Sequence, residues 1–262
     1  LVTDAGETDR TGRGPLSGEL ATVASLTAGD LSAFFDGSTR LAGGGIGLKG
    51  RARLHAADIE PWLMTTGMGL PGMGLGTPID LEAEADYADG LTVLTGLSGT
   101  LGEGAVAGDV NAVVKDGKPH VSGQLTVDEL VLDPIAAMVL GEAALEGGEG
   151  QWSQTPFQPT VTAPFSADVE IAAGTLIAGP SVTAYDAGLS LKLDGDGLRI
   201  ADLKAKLFGG EVSGRLEIKN NGGTGLFSTQ MQFADADLAA TIDAAGLHGR
   251  ADLSAALSAS GK

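Results

Sequence analysis

Three histidines, His55, His120 and His248, come first among residues able to do chemistry, since an imidazole relays protons or binds metal near neutrality. They lie far apart in sequence, each on a polar strand position or beside a turn, whereas a metal site wants convergent ligands at characteristic spacing. Surface histidines are therefore expected. Gly67-Met68-Gly69-Leu70-Pro71-Gly72 formally matches the G-x-G-x-x-G fingerprint. It follows a short helical segment rather than a strand, and Pro71 blocks a helix from opening there. Gly43 to Gly50 looks like a phosphate loop but lacks the Gly-Lys-Ser/Thr order. Asp194-Gly195-Asp196-Gly197 suggests calcium, yet no bidentate Glu follows at the required distance, and a hairpin turn is needed at that place. Carboxylates are plentiful but alternate along strands, pointing outward into water, where they stay ordinary acids. No Ser sits in a nucleophile-elbow context, and the absence of Cys removes thiol nucleophiles, disulfides and thiolate metal sites together. No enzyme, cofactor or metal is expected.

The elements that carry these residues follow from strict alternation. In Ile79-Asp80-Leu81-Glu82-Ala83-Glu84-Ala85-Asp86-Tyr87 every odd position is apolar and every even one acidic. Phe165 to Ile171, Val212 to Ile218 and Leu247 to Ala259 alternate likewise, and a period of two means a strand with one wet and one buried face. Asp89-Gly90, Asp116-Gly117, Asp194 to Gly197 and Asn220 to Gly223 separate the runs as turns. Four segments read as an Asp cap, a short apolar helix and a stopping Gly: Asp30 to Gly37, Asp58 to Gly67, Asp133 to Gly141 and Asp237 to Gly246. Each is too short to stand alone and is expected to pack over one end of the sheet. Landmarks recur at near-constant offset: Asp89-Gly90-Leu91 with Asp196-Gly197-Leu198, Val106 with Val212, and Asp133 with Asp237. The predicted fold is all-β, a long curled antiparallel meander sheet (an open groove or taco-like trough) with a few short capped helices. Residues 1–145 form a first repeat half, 146–164 a loop and 165–262 a second half, within one continuous sheet.

Composition narrows the class. Of 262 residues 42 are Gly and 4% aromatic, so the core must be built from Ala, Val, Leu and Ile. Sixteen Lys and Arg face 34 Asp and Glu, a net charge of −18 without any basic cluster. Such a surface repels phosphate backbones, and nucleic acid is excluded as a partner. No run of 18 apolar residues offers a membrane-spanning helix. Starting at Leu1 and stopping in mid-pattern at Lys262, the chain reads as a piece of something longer. The Met64 to Gly76 segment, with Met64, Met68 and Met73, reads either as a mobile loop or as an adaptable apolar lip touching lipid or a partner.

Leu189 to Asp194, Gly197-Leu198-Arg199-Ile200 and Leu203 to Gly214, which contains Leu207-Phe208-Gly209-Gly210-Glu211-Val212-Ser213-Gly214, resemble the C-terminal region of AsmA-like proteins. Phe233 to Leu238 and Leu247-His248-Gly249-Arg250-Ala251-Asp252-Leu253 continue the pattern. The resemblance is best over 165–262 and repeats more weakly over 15–140. It implies a periplasmic segment of an inner-membrane-anchored envelope protein of Gram-negative bacteria, the anchor not being in this sequence. It also implies a curled sheet with a hydrophobic groove, related to bridge-like lipid-transfer proteins, and a role in phospholipid movement and outer-membrane assembly.

A sheet with one apolar face must cover it. The face closes on itself as a sandwich or barrel, or curls into a trough filled by acyl chains or by another segment of the longer chain. Small Ala and Gly side chains leave the width a trough needs, and the resemblance favours it. Parity assigns Ile79, Leu81 and Tyr87 in the first half, and Val212, Leu216, Ile218, Leu247, Leu253 and Leu257 in the second, as candidate lipid-groove residues. The expected partners are phospholipid or another acyl-chain lipid, neighbouring segments of a longer parent chain, and envelope proteins. The competing reading is a structural β-repeat scaffold that acts through protein contacts without lipid.

Overall fold

The structure, a computed structural model, describes residues 2–3, 18–42, 45–142, 157–159, 163–178, 182–237 and 250–261. Among the described residues fourteen strands follow one another in chain order, each beside the next, and the order is linear from first to last. The strands are β1 (Val2–Thr3), β2 (Gly18–Ala28), β3 (Leu31–Ala42), β4 (Gly45–Ala56), β5 (Ile79–Ala88), β6 (Leu91–Leu101), β7 (Gly104–Lys115) and β8 (Lys118–Val131), then β9 (Ser166–Ile177), β10 (Thr183–Asp194), β11 (Gly197–Leu207), β12 (Gly210–Asn221), β13 (Thr224–Asp237) and β14 (Arg250–Gly261). Among the described residues two short helices interrupt them, α1 (Glu60–Thr65) and α2 (Leu132–Leu140). This is an all-β antiparallel meander whose sheet is not closed. The chain forms two compact units, one of Leu1–Met68 and Gly74–Leu125, the other of Gly69–Met73 and Thr126–Lys262.

Tight hairpins make the meander possible. Asp89-Gly90 and Asp116-Gly117 hold both central residues at positive φ, the geometry whose twist matches the flanking strands. At Asp194 the side chain accepts the Asp196 N–H at 2.8 Å, so this loop is an Asx-stabilised turn. The repeat is visible in the strand boundaries. Leu91 to Gly197, Leu101 to Leu207, Gly104 to Gly210 and Lys118 to Thr224 are all steps of 106 residues, so β6, β7 and β8 recur as β11, β12 and β13. A register irregularity recurs with them. Gly96, at φ 62°, interrupts β6 between Leu94 and Leu97, and Asp202, at φ 51°, interrupts β11 between Ile200 and Leu203. A duplicated bulge is a duplicated backbone bend, which composition alone would not copy.

Of the three expected helices that fall on described residues, two form. Asp58 leads into α1 and Asp133 lies inside the first turn of α2, whose capping position is Val131 rather than the Asp. The Asp30 to Gly37 segment is instead the start of β3, entered through the Gly29-Asp30 turn and paired on both sides. Pro61 and Pro134 explain the difference. A proline cannot donate to a sheet ladder but sits comfortably in the first helical turn, and the Asp30 segment has none. The fourth helix, expected after Asp237, lies outside the described residues, as does most of the 146–164 loop.

Candidate functional site

In the first unit, antiparallel register sorts side chains into rows crossing the strands, every second row on the same face. The row Leu26, Ala33, Leu54, Leu81 runs across β2 to β5, and Ala24, Phe35, Ala52, Ala83 run beside it. Leu94 and Leu97 of β6 extend this face. Together these rows line a groove of about 430 Å³ whose wall is almost wholly apolar. Sites that hold one small apolar ligand fall at about 300–1,000 Å³. Most of its lining is half-exposed, and Leu26 remains 58% exposed.

α1 closes one end of this face. Ile59 is buried with Leu31, Ala56 and Ile79, and Trp62, Leu63, Leu54 and Leu81 pack around them. The helix is held by carboxyl groups. Asp58 Oδ1 accepts the N–H groups of Glu60 and Thr77, each at 3.0 Å. Glu60, buried, accepts the Gly74 N–H at 2.7 Å and the Thr77 hydroxyl at 2.9 Å. The Met-rich segment is thus tied down at its C-terminal end, while Met64 and Leu75 project into solvent. Asp30, in the β2–β3 turn, accepts the Asp58 N–H at 2.9 Å, and that hydrogen bond above all holds its carboxyl below the usual carboxylate range.

The opposite, wet face of the same strands carries a charge ladder. Lys49, Arg51, Arg53 and His55 on β4 stand directly across from Asp86, Glu84, Glu82 and Asp80 on β5, at 3.3–3.5 Å. His55 is therefore one rung of this ladder. All eight side chains are more than half exposed, so each pair contributes little on its own. The ladder does keep the wet face wet, which fixes the other face as the apolar one.

The corresponding face of the second unit is covered over β9 to β11. Leu193, Leu198 and Ile200 are each 1% exposed, and α2 packs against β11 and β12. Asn220 donates its amide to the Val139 and Gln158 carbonyls at 3.0 and 2.9 Å, anchoring the helix end over the β12–β13 hairpin. On the wet side Arg199 meets Glu217 at 2.8 Å. Hydrogen bonds from Arg199 and then Lys219 hold the Glu217 carboxyl below its usual range, and the same Glu217 bond raises Arg199. Lys206 is raised by its bond to Asp186 at 2.7 Å.

The sequence-derived candidates divide accordingly. Ile79, Leu81 and Tyr87 share the open face of β5: Ile79 buried under α1, Leu81 in the groove wall, and Tyr87 exposed at the far end. Val212 and Ile218 are buried on β12, with Leu216 half-buried between them. In the register, Leu253 and Leu257 of β14 stand opposite Phe233 and Thr229 of β13, which in turn stand opposite Val212 and Leu216 of β12. Leu247 lies outside the described residues. Missed from sequence were Ala24, Leu26, Phe35, Leu54 and Leu94. The signal was there for Leu54, since Lys49, Arg51, Arg53 and His55 alternate with Gly50, Ala52 and Leu54. Phe35 was obscured by the helical reading of its segment.

No family model, curated protein or solved structure matches the chain.

Proposed function

We propose that the chain is a non-enzymatic segment of an AsmA-like periplasmic protein, and that the open apolar face of its first unit binds phospholipid acyl chains. The observation that carries this reading is the groove between α1 and the far strand ends, almost wholly apolar yet open to solvent. Apolar surface left open in this way marks a binding site more often than a fold, which would bury it. Burial of about 0.8 kcal/mol per methylene would hold a tail without any specific ligand contact. In a longer protein, such a face joined to its neighbours would let lipid move between the inner and outer membranes and support outer-membrane assembly. The resemblance around Leu203 to Gly214 supports that setting. A second reading, a scaffold acting through protein contacts, is favoured by the dry stretch of the second unit's face over β9 to β11.

Native mass spectrometry of the chain after export to a bacterial periplasm tests the proposal. Co-purified phospholipid is expected, and Leu54→Asp should abolish it while thermal unfolding shows the protein still folded. A folded, lipid-free wild-type monomer would overturn the lipid reading and leave the scaffold.

A further inference from the structure

Resting on that reading, we infer that the first unit holds one acyl tail of a phospholipid lengthwise along its strands, methyl end under α1 and polar end at the Tyr87 row. Three observations point the same way. The α1 end of the face is sealed and apolar, with Ala56 fully buried, Leu31, Ile59 and Ile79 packed about it, and Trp62 against them. The other end carries hydroxyls among aliphatic side chains, Leu20, Leu41, Ile46 and Leu48 standing beside them. Thr39, Leu48, Tyr87 and Thr92 form one row across β3 to β6, and the Thr22 and Thr39 hydroxyls lie 2.8 Å apart beside it. Polarity therefore rises along the strands, from wholly apolar side chains at the sealed end to four hydroxyls set among aliphatic side chains at the open one. An amphiphile lowers its energy by lying along such a gradient in one direction, since reversal would push an ester or phosphate among groups that cannot hydrogen-bond it.

Length agrees with this placement. From Leu81 to Tyr87 is six strand residues, about 20 Å at roughly 3.3 Å each. One acyl tail occupies about 15 Å of a bilayer, half of the roughly 30 Å hydrocarbon core. The face thus accommodates one tail end to end and not two in series. The −18 charge of the chain favours a zwitterionic head at the open end over an anionic one.

Trp62, in the cluster under α1, reports on which end of the tail arrives there. In the full chain carrying Trp152→Phe, Trp62 is the sole tryptophan. The protein is loaded with phosphatidylcholine bearing a nitroxide either near the methyl end or near the ester end of one tail, then freed of excess lipid by gel filtration. Trp62 fluorescence should be quenched several-fold more strongly by the methyl-end label. Equal quenching, or stronger quenching by the ester-end label, would overturn the orientation while leaving lipid binding intact. If neither lipid is retained after filtration, orientation and groove reading fall together.

Discussion

Gly37 and Gly50 face each other across β3 and β4 so closely that a Cβ on Gly37 would lie 2.6 Å from the Gly50 Cα. No rotamer relieves a clash between backbones. Gly50→Ala should therefore destabilise the protein by roughly 1–3 kcal/mol, as overpacking does, read as a lower urea midpoint with the slope unchanged. Glu60 makes the complementary case, a buried carboxyl whose oxygens each accept one bond. Replacing it with Ala leaves the Gly74 N–H and the Thr77 hydroxyl without that acceptor, at about 1–3 kcal/mol if both stay buried. Faster amide exchange at Gly74, with little change at Asp116-Gly117, would place the effect in the clamp. Neither role could be read from sequence. A glycine in a strand signals close approach without naming its partner, and Glu60 looks like any helix-start acid until the returning chain brings Thr77 beside it.

At the scale of elements, alternation made most strands legible. Val169, Ile171, Leu191 and Leu193 are buried where parity places them, and the acidic even positions of β5 are exposed. Illegible was which stretches of face stay open, because burial of a strand's apolar side depends on whether a helix such as α2 lies across it. That is a tertiary fact, absent from the period of any one strand. The β3 error has the same root: a short run with four apolar residues in five suits helix or strand alike, and pairing on both edges decided for the strand. The β4–β5 ladder gives an element-scale prediction. Arg51→Glu sets like charges opposite at Glu84 and should cost up to about 1 kcal/mol, with much of it recovered by adding Glu84→Arg. A double-mutant cycle in low salt measures this coupling, which should shrink in 1 M salt.

For the whole molecule, acid is the vulnerable direction. Asp30 and Glu217 have carboxyls depressed in the folded state, so their contribution is complete above the unfolded value of about 4 and is lost as pH falls through the folded values. Lys206 and Arg199, raised in the fold, contribute below their unfolded values and lose that contribution only in strong alkali. Urea midpoints should therefore hold steady from about pH 5 to 8 and fall below about pH 4. The ladder on β4 and β5 has a different consequence for the whole. Its signs repeat every two residues, so it is a lattice that maps onto itself when one strand slides by two. Lys49, Arg51 and Arg53 would then meet Glu84, Glu82 and Asp80, with every side chain still on its proper face. Electrostatics and hydropathy leave these two alignments nearly degenerate. The degeneracy is broken where the strands leave the sheet: the Ile59 N–H bonds the Thr77 carbonyl at 2.9 Å, and Asp58 grips the Thr77 N–H, which holds Ala56 opposite Ile79. The clamp beneath α1 thus serves as the index mark of a pattern that cannot count for itself.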